Sequence, residues 1–258
     1  MARIIAVANQ KGGVGKTTTS INLAAALAIQ GKTVLLIDMD PQGNTTGGIG
    51  VDPASLKYTV YDCLLRGVPA SEAIQTTTIQ GLQILPANAD LAGAEVELVP
   101  LQDREALLKA AIQAIPVAPE FIIVDCPPAL GLLTINALTA ASSVLVPVQC
   151  EYYAMEGLGR LLSNVARIQE SLNPALALEG ILLTMFDSRN SLARQVSEEI
   201  RSHFQEKVYR TVIPRNVTLA EAPSYGKPVM LYNSASAGAQ AYLDLAKEFL
   251  NHGKTSPR

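Results

Sequence analysis

The sequence predicts a doubly wound α/β fold, a mostly parallel sheet with helices on both faces. Two patterns and one turn carry that expectation. Short, β-branched, continuously apolar runs alternate with segments of helical length and periodicity. An apolar run without polar alternation suits a strand covered on both faces. The first run feeds a glycine-rich turn and then a helical pattern, and α/β folds of this kind place ligands at the carboxyl ends of their strands.

In chain order, the expected strands are RIIAVAN, KTVLLID, LQILPA, FIIVDCP, SVLVPV, EGILLTMF and RTVIP. The clearest helical patterns fall at residues 17–30, 103–115, 157–171, 192–204 and 239–250, and Gly31 follows the first of them as a C-cap. A chain of 258 residues, 48% hydrophobic, can bury a full core. Residues 1–250 are therefore expected to form a single domain and residues 251–258 a polar, disordered tail. Met1, Ala2 and Arg3 lead straight into the first strand, and no apolar run approaches the roughly 18 residues of a membrane span. A cytoplasmic protein is expected. Cys63, Cys126 and Cys150 are odd in number and lack C-x-x-C spacing, which argues against a disulfide framework and a zinc site.

The net charge of −3 by itself argues against a nucleic-acid partner, but its distribution does not. Residues 189–258 hold ten Lys/Arg against six Asp/Glu, a balance of +4 that leaves −7 on residues 1–188. Such asymmetry points to a polyanion-binding face on an acidic body. Arg189, Arg194, Lys227 and Lys247 are the candidate DNA contacts. Without interleaved aromatic residues, they suit phosphates and not base edges, so binding should be nonspecific.

Residues 9–18 read NQKGGVGKTT, between the first apolar run and the first helical pattern. This context makes the string a phosphate-binding loop. Gly12, Gly13 and Gly15 let the backbone curl around an anion with N–H groups of Lys11 to Thr18, Val14 included, turned inward, and the helix N-terminus adds partial positive charge. Lys16 would reach the β- and γ-phosphates, and the Thr17 hydroxyl would ligate Mg²⁺. Gln10 stands where the usual loop has glycine, and a second lysine, Lys11, opens the loop. Asp38 and Asp40 follow the second strand, where alternate carboxylates suit metal-linked water ordering and nucleophile placement. For Asp38 a turn or N-cap role is the alternative. The run FIIVD delivers Asp125 to the same edge, as a second candidate on the metal side.

These segments resemble the ParA and MinD group of ATPases. KGGVGKTT matches the deviant Walker A motif of that group, and DMDPQGN, FIIVDCPP, PVQCEYYAMEGL and TVIPRNVTLAEAPSYGKP are similar to its chromosomal ParA (Soj) branch. The resemblance implies a P-loop ATPase that binds ATP and Mg²⁺ and forms a homodimer on ATP binding. It implies that Lys11 reaches across that interface to the partner's nucleotide, that Lys16 and Asp40 serve catalysis with Asp40 holding the attacking water, and that Pro214 and Asn216 receive the base. It further implies nonspecific double-stranded DNA binding through Arg189, a ParB-like partner, and nucleoid association in chromosome or plasmid partitioning.

Three other readings follow from the same motifs. A ParA-like positioner of another cargo has the same residues. A redox ATPase resembling nitrogenase iron protein needs two cysteines placed to share a cluster across a dimer. A MinD-like membrane switch needs a lipid-facing C-terminal helix; the stripe of Tyr242, Leu245, Ala246, Phe249 and Leu250 is better explained by core packing, since Asp244 and Glu248 flank it.

Overall fold

The computed structural model describes residues 2–255. Seven strands form one sheet: β1 (Arg3–Val7), β2 (Val34–Asp38), β3 (Gln75–Thr76), β4 (Leu82–Leu85), β5 (Phe121–Asp125), β6 (Ser143–Gln149) and β7 (Ala177–Thr184). Their order is β3-β4-β2-β5-β1-β6-β7, parallel throughout except for β3 against β4. Among the described residues there are also twelve α-helices: α1 (Lys16–Ile29), α2 (Asn44–Gly48), α3 (Val60–Leu65), α4 (Ala70–Ala73), α5 (Leu91–Glu97), α6 (Leu107–Gln113), α7 (Leu132–Ala140), α8 (Ala154–Ser171), α9 (Ser191–Phe204), α10 (Val217–Glu221), α11 (Val229–Tyr232) and α12 (Ala237–Thr255).

The all-apolar strands are buried on both faces because each face has its own core. Alternate residues of β1, Ile5 and Val7, pack with α1 and α12 on one side, while Ala6 packs with α7 and α8 on the other. The expected stripe of α12 lies in the first core: Tyr242, Leu245, Ala246 and Phe249 are buried. Gly31 ends α1 as expected. Its φ of +81° is glycine's region, and the bonds Gly31 N–H to Ala28 O (2.9 Å) and Lys32 N–H to Leu27 O (3.1 Å) close a Schellman turn.

Three expectations are corrected. RTVIP is not a strand; residues 208–214 follow the edge of β7, with isolated bridges of Val208 to Ile181 and of Pro214 to Phe186 just beyond the end of β7. The Glu248 carboxylate takes the intervening N–H groups of Arg210 (2.7 Å) and Thr211 (2.9 Å), so they cannot join a ladder. The helix expected at 103–115 begins only at Leu107, because Asp103 sits at φ +51° and breaks the helical path. Helix α12 continues to Thr255, through five residues of the segment expected as a tail. Residues 256–258 lie outside the described residues.

Sheet register positions the site. Val7, Asp38 and Asp125 are level on adjacent strands, with Val7 paired to Asp125 and Asp38 paired to Asp125. The loops after β1, β2 and β5 therefore emerge together at the carboxyl edge of the sheet.

Candidate nucleotide site

The loop from Asn9 to Gly15 is built by the strands beside it. The Asn9 side chain donates to Pro147 O (2.7 Å) and accepts from Lys11 N–H (3.0 Å), which sets the loop's entry. At its exit, the Thr184 hydroxyl at the end of β7 donates to Val14 O (2.8 Å). Gly13 (φ +74°) and Gly15 (φ +87°) adopt the left-handed conformation that a Cβ disfavours. No side chain caps α1, so its first N–H groups stay available to an anion.

A cavity of about 670 Å³ opens over this loop, within the size range of ligand sites. Gly12, Gly13, Gly15, Lys16, Thr17 and Thr18 line it together with Asp40 and with Pro214, Arg215 and Asn216. The structure thus brings together the phosphate loop, Asp40 and the residues expected at the base. Asn216 also caps α10, its Oδ1 accepting from Leu219 N–H (3.3 Å). Four residues predicted for the nucleotide site do not line the cavity: Lys11, Val14, Asp38 and Asp125. Val14 is buried, so only its backbone can face a phosphate. The Lys11 ammonium is paired with Glu151, away from the cavity. Asp38 is fully buried and held by Asp40 N–H (3.1 Å), Thr46 N–H (2.9 Å) and the Thr46 hydroxyl (2.7 Å). Those contacts make Asp38 a loop anchor, the alternative that its sequence position had allowed.

Asp125 has a different environment. Thr17 (2.8 Å) and Thr45 (2.6 Å) donate their hydroxyls to Oδ2, and Ser20 (2.8 Å) donates to Oδ1. This carboxylate is fully buried and, among the described residues, in no ion pair. A buried anion ringed by hydroxyls beside a phosphate cradle suits a hard cation. Thr17 and Asp125 fit Mg²⁺, which when bound would neutralise charge on the phosphate oxygens. Burial raises the pKa of Asp125 despite its three hydroxyl donors. It pushes Asp38 up to about 7, with the neighbouring Asp125 charge adding to the effect. Burial lowers Lys16, an effect opposed by the nearby Asp125 and Asp40 charges. Its Nζ lies 3.2 Å from Lys11 O in the concavity of the loop.

The sequence over residues 2–178 matches the family described as AAA domain. Sporulation initiation inhibitor protein Soj of Bacillus subtilis (strain 168) is 56% identical over 253 residues, 98% of this chain and 100% of that protein. Chromosome partitioning protein ParA of Myxococcus xanthus (strain DK1622) is 51% identical, spanning 100% of this chain and 92% of that one. This chain belongs to the Soj/ParA family of chromosome-partitioning ATPases. Among solved structures, a Mycobacterium smegmatis protein named cobyrinic acid a,c-diamide synthase, with bound ADP and magnesium, superposes with a TM-score of 0.86 at 42% identity. The match covers 99% of this chain and 96% of that one. The cell division ATPase MinD of Pyrococcus furiosus gives 0.80 at 26% identity, over 97% and 99% of the two chains. Like other Soj/ParA ATPases, the protein hydrolyses ATP with Mg²⁺.

Membership fits the rest of the chain. Cys126 and Cys150 are buried, which sets the redox alternative aside. No helix among the described residues is long and apolar enough to cross a membrane. The expected basic face is divided. Arg189, 90% exposed, forms a two-pronged pair with Asp187 (3.0 and 2.8 Å) in the loop after β7, and Arg194, near the start of α9, donates to Ser188 O (2.6 Å) of that loop. Lys227 follows Gly226, beside Gly50. Lys247 pairs with Asp244 (2.9 Å) two residues before Phe249, whose ring lies under Arg3 at the start of β1. It therefore lies toward the opposite end of the sheet from Arg189.

Sequence reasoning missed several residues. Arg215 lines the cavity and its N–H bonds Phe186 O (3.2 Å); the Arg189 hydrogen bonds hold Asp187 down to about 2, with a smaller contribution from the Arg215 charge. It joins the nucleotide cavity to the Arg189 loop. Its position inside the PRN segment was the available signal. Thr45 and Ser20 had none beyond small hydroxyl residues near motif positions, and Thr184 and Tyr242 are far away in sequence.

Proposed function

We propose that this protein is an ATP-driven dimerising switch for partitioning chromosomal or plasmid DNA. Two copies close face to face over two ATP molecules, and each Lys11 supplies a cation to its partner's nucleotide. Lys16 and the loop N–H groups hold the phosphates, Thr17 and Asp125 hold Mg²⁺, Asp40 orients the attacking water, and Pro214 and Asn216 receive the adenine. The closed dimer binds double-stranded DNA nonspecifically through Arg189 and Arg194, and so associates with the nucleoid. A ParB-like partner stimulates hydrolysis and releases it.

The observation that carries this reading is the direction of Lys11. Gly12, Gly13, Gly15, Lys16, Thr17 and Thr18 line the cavity, whereas Lys11 points out of it to Glu151. A lysine in a phosphate loop that does not face its own phosphates is suited to another copy's. Gly12 supports the same geometry: a Cβ there meets nothing within 4 Å, and its φ is not positive, so its own chain does not require glycine. A face kept bare for close approach of a partner accounts for it.

The DNA reading is tested by fluorescence anisotropy with two unrelated duplexes and Asp40→Ala protein, which should hold ATP without turnover. Binding should require ATP, be equal for both duplexes and fall steeply with salt. Arg189→Ala should weaken both equally. Tight binding without ATP would remove the switch, and no binding with ATP would remove DNA as the partner.

A further inference from the structure

The loop after Asp40 ends in two adjacent threonines, and each reaches a different buried carboxylate. Thr46 donates its hydroxyl and its N–H to Asp38 Oδ2, and its hydroxyl oxygen accepts from Ala87 N–H (3.0 Å). That side chain is committed to building the loop. Thr45, fully buried in the first turn of α2, turns the other way and donates to Asp125 Oδ2 at 2.6 Å. The same oxygen receives the Thr17 hydroxyl at 2.8 Å. One atom of Asp125 therefore joins the phosphate loop, through Thr17, to the Asp40 loop, through Thr45.

The rest of the α2 segment is packed closely. A Cβ on Gly48 would come 2.6 Å from Ile21 Cδ1 of α1, and one on Gly50 would come 2.7 Å from Gly226 O. Gly43, at the loop's tight turn, would place a Cβ 3.2 Å from Ala87 O. Contacts at Gly43, Gly48 and Gly50 hold the segment in place, and the Thr45 hydroxyl is its contact with the metal-side carboxylate. A hydrogen bond to an ionised acceptor in a buried site is short and directional. It fixes the distance between Asp125 and the backbone that carries Asp40.

We propose that Thr45 is a positioning residue for hydrolysis, its hydroxyl setting the Asp40 loop relative to the carboxylate on the metal side. This rests on the roles assigned above to Asp40 and Asp125. Asp125 keeps two other hydroxyl donors when Thr45 is lost, so phosphate and metal binding survive while water placement does not. A misplacement of about 1 Å in a positioned group costs roughly 100-fold in rate.

The test compares Thr45→Val, which keeps the shape and removes the hydroxyl, with Thr45→Ser, which restores it. Thr45→Val should lower kcat by roughly 10- to 100-fold with KM changed by less than about threefold. Thr45→Ser should return kcat to within about threefold of the parent, a rescue the donor alone explains. A second readout is the Mg²⁺ concentration needed for half-maximal binding of a fluorescent ATP analogue. It should move by less than about twofold in Thr45→Val, while Asp125→Asn should raise it strongly. Unchanged kcat in Thr45→Val, equal losses in Val and Ser variants, or a Mg²⁺ shift matching Asp125→Asn would each overturn the inference. Asp40→Ala serves as control: if it still turns over, the Asp40 assignment falls and this inference with it. An inactive Asp40→Ala beside a fully active Thr45→Val would sink the inference alone.

Discussion

Lys11 and Glu151 form an ion pair that turns the first loop lysine away from the cavity its neighbours line. Glu151 follows β6, so the pair ties the phosphate loop to the adjacent strand end. If Lys11 serves a partner's nucleotide, the pair must open on dimerisation. Both side chains are about half exposed, 45% and 46%, and an exposed pair of this kind stabilises by about 0–1 kcal/mol. Glu151→Gln should therefore raise the ATP-dependent dimer fraction several-fold at limiting protein, measured by light scattering. A lower dimer fraction would mean that Glu151 serves the closed dimer instead.

Gly12→Val should fold with unchanged thermal stability, because its side chain meets open space within the chain. It should bind ATP and fail to dimerise productively. Calorimetric ATP titration and light scattering on the same sample separate the two steps. Normal ATP-dependent dimerisation of this variant would count against close approach at the loop.

Gly50→Ala is expected to act on stability. Gly50 has φ +89°, and a Cβ would lie 2.7 Å from Gly226 O. Left-handed strain and a backbone clash together should cost about 2–4 kcal/mol. For a chain of this size that lowers Tm by roughly 5–15 °C. An unchanged Tm would show that the contact between the α2 segment and residue 226 relaxes freely.

Asp38 gives the nucleotide-free protein a pH dependence of definite sign. Burial and the Asp125 charge raise its folded-state pKa to about 7, above its ordinary value of 3.8. Between those values the folded state binds the proton more than the unfolded state does, so stability falls as pH rises from about 4 to 7 and levels off above. Asp125, also raised, adds in the same direction. Melting curves across this range should show a flatter slope in Asp38→Asn, whatever its absolute Tm. An unaltered slope would remove Asp38 as the source.

The fold was legible because a two-sided core leaves a direct trace: continuous apolar strands such as VLLID and FIIVD occur only where both faces are covered. The phosphate loop was legible because its chemistry is local, with glycines, lysine and threonine all supplied within one turn. What failed was non-local. RTVIP has the composition of a strand, yet Glu248, some 37 residues later, captures its N–H groups. Asp38 and Asp40 look equivalent in the motif, and only Thr46 and the register with Asp125 separate an anchor from a cavity residue. Lys247 joined Arg189 in a count of charges, but α12 carries it to the other end of the sheet. The Glu151 partner of Lys11 lies 140 residues away, and no spacing pattern announces it.

In the proposed dimer each active site is completed by the partner's Lys11, and mixing two inactive variants can separate this from a site that works alone. Lys11→Ala retains its own Asp40, and Asp40→Ala retains its own Lys11. In a mixed dimer, the site on the Lys11→Ala subunit has an intact Asp40 and faces an intact Lys11 from the other subunit. ATP turnover should therefore appear on mixing at equal concentration, where neither variant alone turns over appreciably. Absence of turnover in a mixture whose heterodimers are demonstrated by crosslinking or energy transfer would contradict the account.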